Sequence, residues 1–410
     1  MRLLLLTPQL PYPLHQGTTI RNFNIIKHLA PRHEITLLSF GTPEELASAE
    51  PLRALCRRIE IAPYPTRSML RRALTTITSP LPDMALRLDS VAMHARFDAL
   101  MQHDTFDLLQ IEGIEMAPYI LKSKIENRKS KVVFDDHNAE YVLQRTAFES
   151  DARNPKRWHA ALYSWIQWQK LARYERNICR RAHHIIAASA TDARAIQQLT
   201  TNNYQLPVTV IPNGVDTHHF VPSDKVCAKP LADVAMVYAG KMDFRPNVDA
   251  ILWFCDEILP RIRTAIPLAH LVIVGQKPAP RIRALGAQKG VEVTGWVPDT
   301  RPFIADAAVY VVPLRMGSGT RLKVLEAMAM GKAIVSTTRG AEGLDLVPGR
   351  EALIADTPDE FARTAISLLR DPDRRRALGR AARLLVESIY DWRAIVPRFE
   401  QVYKTVDSEQ

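Results

Sequence analysis

Residues 313–332 read Pro-Leu-Arg-Met-Gly-Ser-Gly-Thr-Arg-Leu-Lys-Val-Leu-Glu-Ala-Met-Ala-Met-Gly-Lys. The preceding Val309-Tyr310-Val311-Val312 is an apolar run of strand character that stops at Pro313. A glycine-rich loop follows. Leu322, Leu325, Glu326 and Ala329 then recur at helical spacing. Strand, glycine loop and helix, in that order, form the junction at which parallel sheets hold ligands. Glycines let the backbone approach closely, and a helix amino terminus offers free N–H groups to an anion. That dipole is worth about 0.3–1 kcal/mol, and a Lys or Arg hydrogen bond to phosphate adds about 1.5–3 kcal/mol. Arg321 and Lys323 therefore mark a candidate diphosphate site, with Ser318, Gly319, Thr320 and Leu322 supplying backbone beside them. Glu326, in apolar surroundings, can accept two hydrogen bonds from a ribose diol. The loop is neither a dinucleotide fingerprint nor a P-loop, because Gly317-Ser318-Gly319 lacks the third glycine and Gly331-Lys332 lacks its partners. Taken alone, such a loop also reads as a solvated turn.

Similar strand runs recur on both sides. Residues 3–6, 35–40, 59–62, 108–111, 132–134, 185–188 and 208–211 form one set. Residues 234–238, 271–274, 291–293, 309–312, 334–336 and 353–355 form another. Most are continuous rather than alternating, as in strands covered on both faces, and the segments between suit crossover helices. A stretch without periodicity at 212–230, holding Pro212, Asn213, Gly214, Pro222 and Pro230, separates the sets. With 410 residues, the chain is expected to form two α/β domains: 1–212, joined by a terminal helix at about 389–410, and 213–388. Hydrophobic residues at 47% and charged residues at 24% exclude a disordered or fibrous chain. The net charge of +10 favours an anionic partner. Cys56, Cys179, Cys227 and Cys255 have no metal-site spacing and read as buried thiols in a reducing compartment. No apolar run approaches the length of a membrane span, and the short run at 3–6 reads as a strand rather than a leader.

From Lys156 to Ala182 a helical stretch interleaves Lys156, Arg157, Lys170, Arg173 and Arg176 with Trp158, Tyr163, Trp165, Trp168 and Tyr174. One reading packs the aromatic stripe into its own domain. The other rests it on an anionic membrane. No RNA-module motif accompanies it, so nucleic acid is not an expected partner.

The segment at 318–335 resembles the donor-site motif of GT-B glycosyltransferases, in particular glycosyltransferase family 4. Glu326 matches the motif's second Glu, and Ala327 to Val335 match the run after it. Ser318 stands where the first Glu is expected, within a Gly-Thr-Arg-Leu-Lys variant. Ile211-Pro212-Asn213-Gly214 is similar to the family's interdomain signature, and Gly240-Lys241-Met242-Asp243-Phe244-Arg245-Pro246-Asn247 opens the second half. The resemblance implies that Lys241 and Arg245 meet the donor diphosphate, with Gly240, Asn213 and Asn247 lining the same site. It places Val297, within Gly295-Trp296-Val297-Pro298-Asp299, at the nucleotide base. In the first half, Gln16 and Gly17 belong to a loop bordering phosphate and acceptor, and His137 contacts the transferred sugar. Glu112 is an acceptor-facing candidate. The catalytic set implied is His137, Lys241, Arg245 and Glu326.

The implied fold is GT-B: two facing Rossmann-like parallel-sheet domains with a cleft, the first for acceptor and the second for donor. The implied reaction is retaining transfer of a sugar from a nucleotide diphosphate sugar, UDP or GDP before others, to a saccharide or lipid-linked hydroxyl. Cell-envelope polysaccharide, lipopolysaccharide or glycolipid would be the product. No cofactor and no metal are expected, so Asp135-Asp136 is not read as a metal pair. The expected location is cytoplasmic, peripheral on the inner membrane face. A non-hydrolysing UDP-sugar 2-epimerase of the same fold and a non-catalytic basic protein that binds membrane or polyanion are the rival readings.

Overall fold

The computed structural model describes residues 1–122, 130–199, 206–222, 233–317 and 321–408. Ser318, Gly319, Thr320 and Cys227 lie outside the described residues, as do residues 223–230 of the expected linker.

Each of the thirteen apolar runs falls on a strand, with ends that agree to within two residues. The first seven are β1 (Arg2–Thr7), β2 (Glu34–Phe40), β3 (Arg58–Ala62), β4 (Leu108–Glu112), β5 (Lys131–Asp136), β6 (His184–Ala187) and β7 (Val208–Val210). They form one sheet in the order β3-β2-β1-β4-β5-β6-β7. The other six are β8 (Ala235–Ala239), β9 (His270–Val274), β10 (Val291–Gly295), β11 (Val309–Val312), β12 (Ile334–Ser336) and β13 (Leu353–Ile354). Their order is β10-β9-β8-β11-β12-β13. All these pairings are parallel. The continuous runs have their cause in this topology. Helices cover both faces, so Leu3, Leu4, Leu5, Leu6 and Thr7 are buried in succession.

In each sheet the strand order reverses beside a central strand, between β1 and β4 and between β8 and β11. Ligands of doubly wound sheets sit at the carboxyl ends of strands at such a point. The helices that matter below are α1 (Gly17–Leu29), α2 (Met69–Thr78), α3 (Trp158–Arg181), α4 (Arg245–Trp253), α5 (Leu322–Ala329) and α6 (Trp392–Ser408).

Two compact units result, Met1–Pro212 with Ile395–Gln410, and Asn213–Ala394. Within the first unit, α6 returns to the sheet. Tyr403 Oη donates to Gln110 Oε1 in the core, and His33 Nε2 lies 3.1 Å from Glu400 Oε1. Arg21 of α1 is buried beneath it, its guanidinium 5.3 Å from the Phe399 ring centre. Arg21 forks onto Asp135 at the end of β5, with N–O distances of 2.9 and 3.0 Å. It also donates to the carbonyls of Ile211 and Pro212 at 3.1 and 3.2 Å. A buried ion pair survives only when its remaining polar atoms are also bonded. Here one guanidinium ties a helix, a strand end and the exit of the chain from the unit.

The basic aromatic stretch divides in two. Lys156 and Arg157 belong to a 3₁₀ turn, Pro155–Arg157, rather than to the helix. Further on, α3 buries Leu171, Tyr174 and Ile178. Its first turns leave Trp158 and Trp165 exposed.

Replacing Arg21 with Met strands a buried carboxylate. The expected loss is about 3–5 kcal/mol of stability, read as a lower urea midpoint by circular dichroism. Arg21→Met combined with Asp135→Asn should recover much of it. An unchanged midpoint in the single variant would show that the pair does not hold the unit.

Candidate functional site

In the second unit the chemistry gathers where β8 ends. Gly275, after β9, has φ 149°, and a Cβ there would fall 1.7 Å from the Gly240 carbonyl oxygen. A Cβ on Gly240 would meet Lys323 Nζ at 2.9 Å and Asn247 Nδ2 at 3.1 Å. The two strand ends therefore press together because position 275 is glycine, and the space spared on Gly240 is filled by an ammonium group.

That ammonium group has a built seat. Lys323 Nζ, from the first turn of α5, donates to Tyr238 Oη at 2.7 Å and to Asn247 Oδ1 at 2.8 Å. Tyr238 Oη donates to the same Asn247 oxygen at 2.6 Å, and Asn247 Nδ2 donates to the Lys241 carbonyl at 2.8 Å. Pro246, second residue of α4, favours the helix start and sets Asn247 in its first turn. Burial, and then the nearby Arg321, push the Lys323 pKa down to about 7. Glu326 lies one turn further along the same face of α5. Burial pushes its carboxyl up to about 7, and Lys323 opposes the shift. A lysine ammonium has three N–H groups, so two in the seat leave one to meet an anion.

Arg321 is placed differently from the expectation. Its buried guanidinium donates to the Arg339 carbonyl at 3.2 and 3.3 Å and lies 3.6 Å from Glu342. It props the turn after β12 from beneath the loop at Gly317, where a Cβ would stand 3.3 Å from Arg321 Nη1. Leu322 is half-buried at the start of α5. Lys241 and Arg245 are exposed at the same strand end, and Lys241 lies 3.7 Å from Asp243. Val297 is half-buried beside the exposed Trp296. Asn213 opens the unit two residues ahead of Val215, whose N–H donates to the Tyr390 carbonyl at 2.8 Å.

In the first unit, α1 starts behind β1, with Gln16 and Gly17 exposed at its amino end. The start is fixed by Thr19, whose hydroxyl donates to the Gln16 carbonyl at 2.8 Å and accepts from the Gln16 N–H at 3.2 Å. His137 follows β5, half-buried, with Nε2 2.9 Å from Glu112 Oε2. Burial pulls the imidazole pKa down, but Glu112 and Asp135 outweigh it, and the pKa stands above the ordinary value. Glu112 was expected to face an acceptor. The structure instead buries it completely, against His137 and Gln110. Burial and Asp135 raise its pKa. It holds the ring of His137 rather than meeting solvent. Glu112, Asp135 and His137 offer ligand atoms within 4.8 Å of one another. Both oxygens of Asp135 already accept from Arg21. Asp136 is buried, and its Oδ2 lacks a hydrogen bond. Burial and then the nearby Glu175 raise its pKa strongly.

Sequence reading missed Tyr238, Gly275 and Arg21. Tyr238 left one signal, a hydroxyl inside an otherwise apolar strand, which must find a partner when buried.

The described residues contain no helix long and apolar enough to cross a membrane. Cys56, Cys179 and Cys255 are buried and free.

Residues 16–219 match the family model described as Glycosyltransferase Family 4, and residues 233–371 match Glycosyl transferases group 1. The phosphatidyl-myo-inositol mannosyltransferase of Mycobacterium tuberculosis is 27% identical over 206 residues, 48% of this chain and 53% of that protein. The lipopolysaccharide 1,2-N-acetylglucosaminetransferase of Salmonella typhimurium is 26% identical over 219 residues, 48% of this chain and 56% of that one. The chain thus spans about half the length of these relatives. An uncharacterized 44.6 kDa protein in the cps region of Klebsiella pneumoniae is 19% identical over 98% of this chain and 99% of its own. Among solved structures, sucrose-phosphate synthase from Thermosynechococcus elongatus superposes with a TM-score of 0.71 at 16% identity, over 100% of both chains. Anabaena HepE in complex with UDP superposes at 0.69 and 15% identity, over 99% of this chain and 100% of that one. The fold and the two family models agree: the chain belongs to the GT-B glycosyltransferases, family 4.

Proposed function

We propose that this protein transfers a sugar, with retention at the anomeric carbon, from a nucleotide diphosphate sugar to a hydroxyl acceptor in the synthesis of envelope polysaccharide, lipopolysaccharide or glycolipid. The observation that carries the reading is the seat of Lys323 on Tyr238 and Asn247, at the switch point of the second sheet, with Glu326 on the same helix face. A half-buried, hydrogen-bonded ammonium at a strand end suits a diphosphate. A carboxylate one turn along suits a ribose diol. The second unit, residues 213–394, is the donor side in this reading, and the first is the acceptor side. UDP and GDP sugars are the leading donors. The relatives named for phosphatidyl-myo-inositol and for lipopolysaccharide support a lipid-linked or saccharide acceptor.

In the reaction, the bond from the anomeric carbon to the β-phosphate oxygen breaks as the acceptor oxygen attacks from the same face. The acceptor proton passes to a phosphate oxygen of the leaving nucleotide. Lys323 meets the charge that grows on that diphosphate, and the exposed Lys241 and Arg245 add to the field. Glu326 holds the ribose. His137, held by Glu112, orients the transferred sugar. Arg321 acts by holding the loop. No metal enters any of these steps. The protein works at the inner face of the plasma membrane, with the basic aromatic helix α3 and the turn before it against anionic lipid.

Thermal shift with UDP, GDP, ADP and TDP sugars, without added metal, tests the donor site. A ligand at about 100 times its Kd stabilises by about 2.7 kcal/mol, so one base should respond clearly. Glu326→Ala should abolish that shift and raise the donor KM about tenfold or more, with kcat less affected, if it binds donor and transition state alike. Unchanged donor kinetics in the folded variant would remove Glu326 from the site.

Binding requires Lys323 charged and Glu326 ionised. Each has its pKa pushed to about 7 in the free protein. Nucleotide-sugar affinity should therefore peak near neutrality. It falls below that as Glu326 takes up its proton, and above it as Lys323 loses its own. A nucleotide sugar is the probe because its diphosphate carries no terminal phosphate to titrate. Calorimetry across the pH range should show the acid limb flatten in Glu326→Gln and the alkaline limb flatten in Lys323→Met. A profile with the same two limbs in both variants would place the titrating groups elsewhere.

A further inference from the structure

Helix α2, Met69–Thr78, is amphipathic in the opposite sense to a helix that packs on a core. None of its residues is buried. The side turned to the protein is polar. Lys170 of α3 caps its end, with Nζ 2.6 Å from the carbonyls of both Thr76 and Ser79. Arg72 pairs with Asp83 at 3.0 Å, and Arg67, just before the helix, pairs with the same carboxylate at 2.6 Å. The other side carries Met69, Leu70, Leu74 and Ile77, which are 83, 84, 61 and 83% exposed. An ordinary surface helix buries its apolar stripe.

The apolar surface continues onto the first turns of α3. A groove of about 420 Å³ is lined by Met69, Ala73 and Ile77 from α2 and by Leu162, Tyr163 and Ile166 from α3. Trp158, 67% exposed, stands at its helix start. Cations outnumber acids around this surface, where Asp83 pairs with Arg67 and Arg72 and Asp151 pairs with Arg157. Residues 61–82 contain three arginines and no acid, and residues 152–174 contain five basic residues and no acid. Arg71 and Lys156 are both exposed. A protein partner with an apolar face would leave Arg71 and Lys156 unmatched. An anionic bilayer matches both, with acyl chains for the apolar side chains and headgroups for the cations.

We propose that α2, with the first turns of α3, is a membrane-docking surface that lies in the plane of an anionic bilayer. Leu70 and Ile77 enter the acyl boundary, and Arg71 and Lys156 meet headgroup phosphates. This deepens the membrane contact assigned above to α3 and shifts its centre to a helix that carries no tryptophan. It does not depend on the donor or on the reaction.

The test is co-sedimentation of the whole chain with vesicles of phosphatidylcholine alone or mixed equally with phosphatidylglycerol. The wild type should bind the mixed vesicles and not the neutral ones, and added salt should release it. Leu70→Ser with Ile77→Ser removes two exposed side chains and should weaken binding about tenfold or more. Its melting temperature and its nucleotide-sugar thermal shift should stay at wild-type values. Arg71→Glu should weaken binding to the mixed vesicles as well. Failure of the wild type to bind mixed vesicles overturns the proposal. So does equal binding by the double variant. Self-association of the wild type without vesicle binding, lost in the double variant, overturns it in favour of a second copy of this chain. The thermal shift is read in the same samples, so a loss of donor binding is seen separately from a loss of docking.

Discussion

The first unit depends on one buried ion pair. Arg21 and Asp135 are removed from water, which costs several kcal/mol per ion before any attraction is counted. The cost is offset because the guanidinium spends its N–H groups on both carboxylate oxygens and on two backbone carbonyls. A group so fully committed permits little movement in what it touches. It touches the start of the sheet's covering helix, the end of β5 and the last residues of the unit. His137 follows two residues after Asp135, so its position descends from the same pair. Glu112 then fixes the ring from the neighbouring strand. The charges of this strand-end cluster answer one another.

The second unit solves the matching problem by removing atoms. Gly275 lets two strand ends make a contact that a single methyl group there would forbid. The ammonium group of Lys323 takes the space spared on Gly240, and Tyr238 and Asn247 hold it. A cation kept in a half-buried, hydrogen-bonded seat needs little rearrangement when an anion arrives, which is the source of strong electrostatic stabilisation. Its lowered pKa follows from the same burial.

The fold was legible because parallel sheets bury both strand faces. Leu3 to Leu6 and Val309 to Val312 could therefore be read as strands without a partner in view. The residues of the proposed donor site stood out as chemical types at a spacing: a lysine and a glutamate three apart on one helix. Their partners were not. Arg321 looked as much a phosphate ligand as Lys323, because nothing local foretells that it reaches the Arg339 carbonyl. Glu112 looked like an acceptor-facing acid, because nothing local foretells that its carboxylate is buried against Gln110 and His137. Tyr238 was counted as apolar filling. Helix α2 drew no notice because its hydrophobic pattern is that of any amphipathic helix, and only tertiary contact shows which side faces inward.

The discontinuity of the first unit has a consequence for synthesis. Domains generally fold in the order in which they emerge from the ribosome. Here Phe399, Glu400 and Tyr403 complete the packing around Arg21, His33 and Gln110, yet they are translated after the whole of residues 213–394. The second unit has all of its chain before the first can close. Until then the nascent first unit carries an open seam along the face that α6 will cover, with Arg21 and Asp135 roofed on one side only. The unit that begins the chain is the one that finishes folding last.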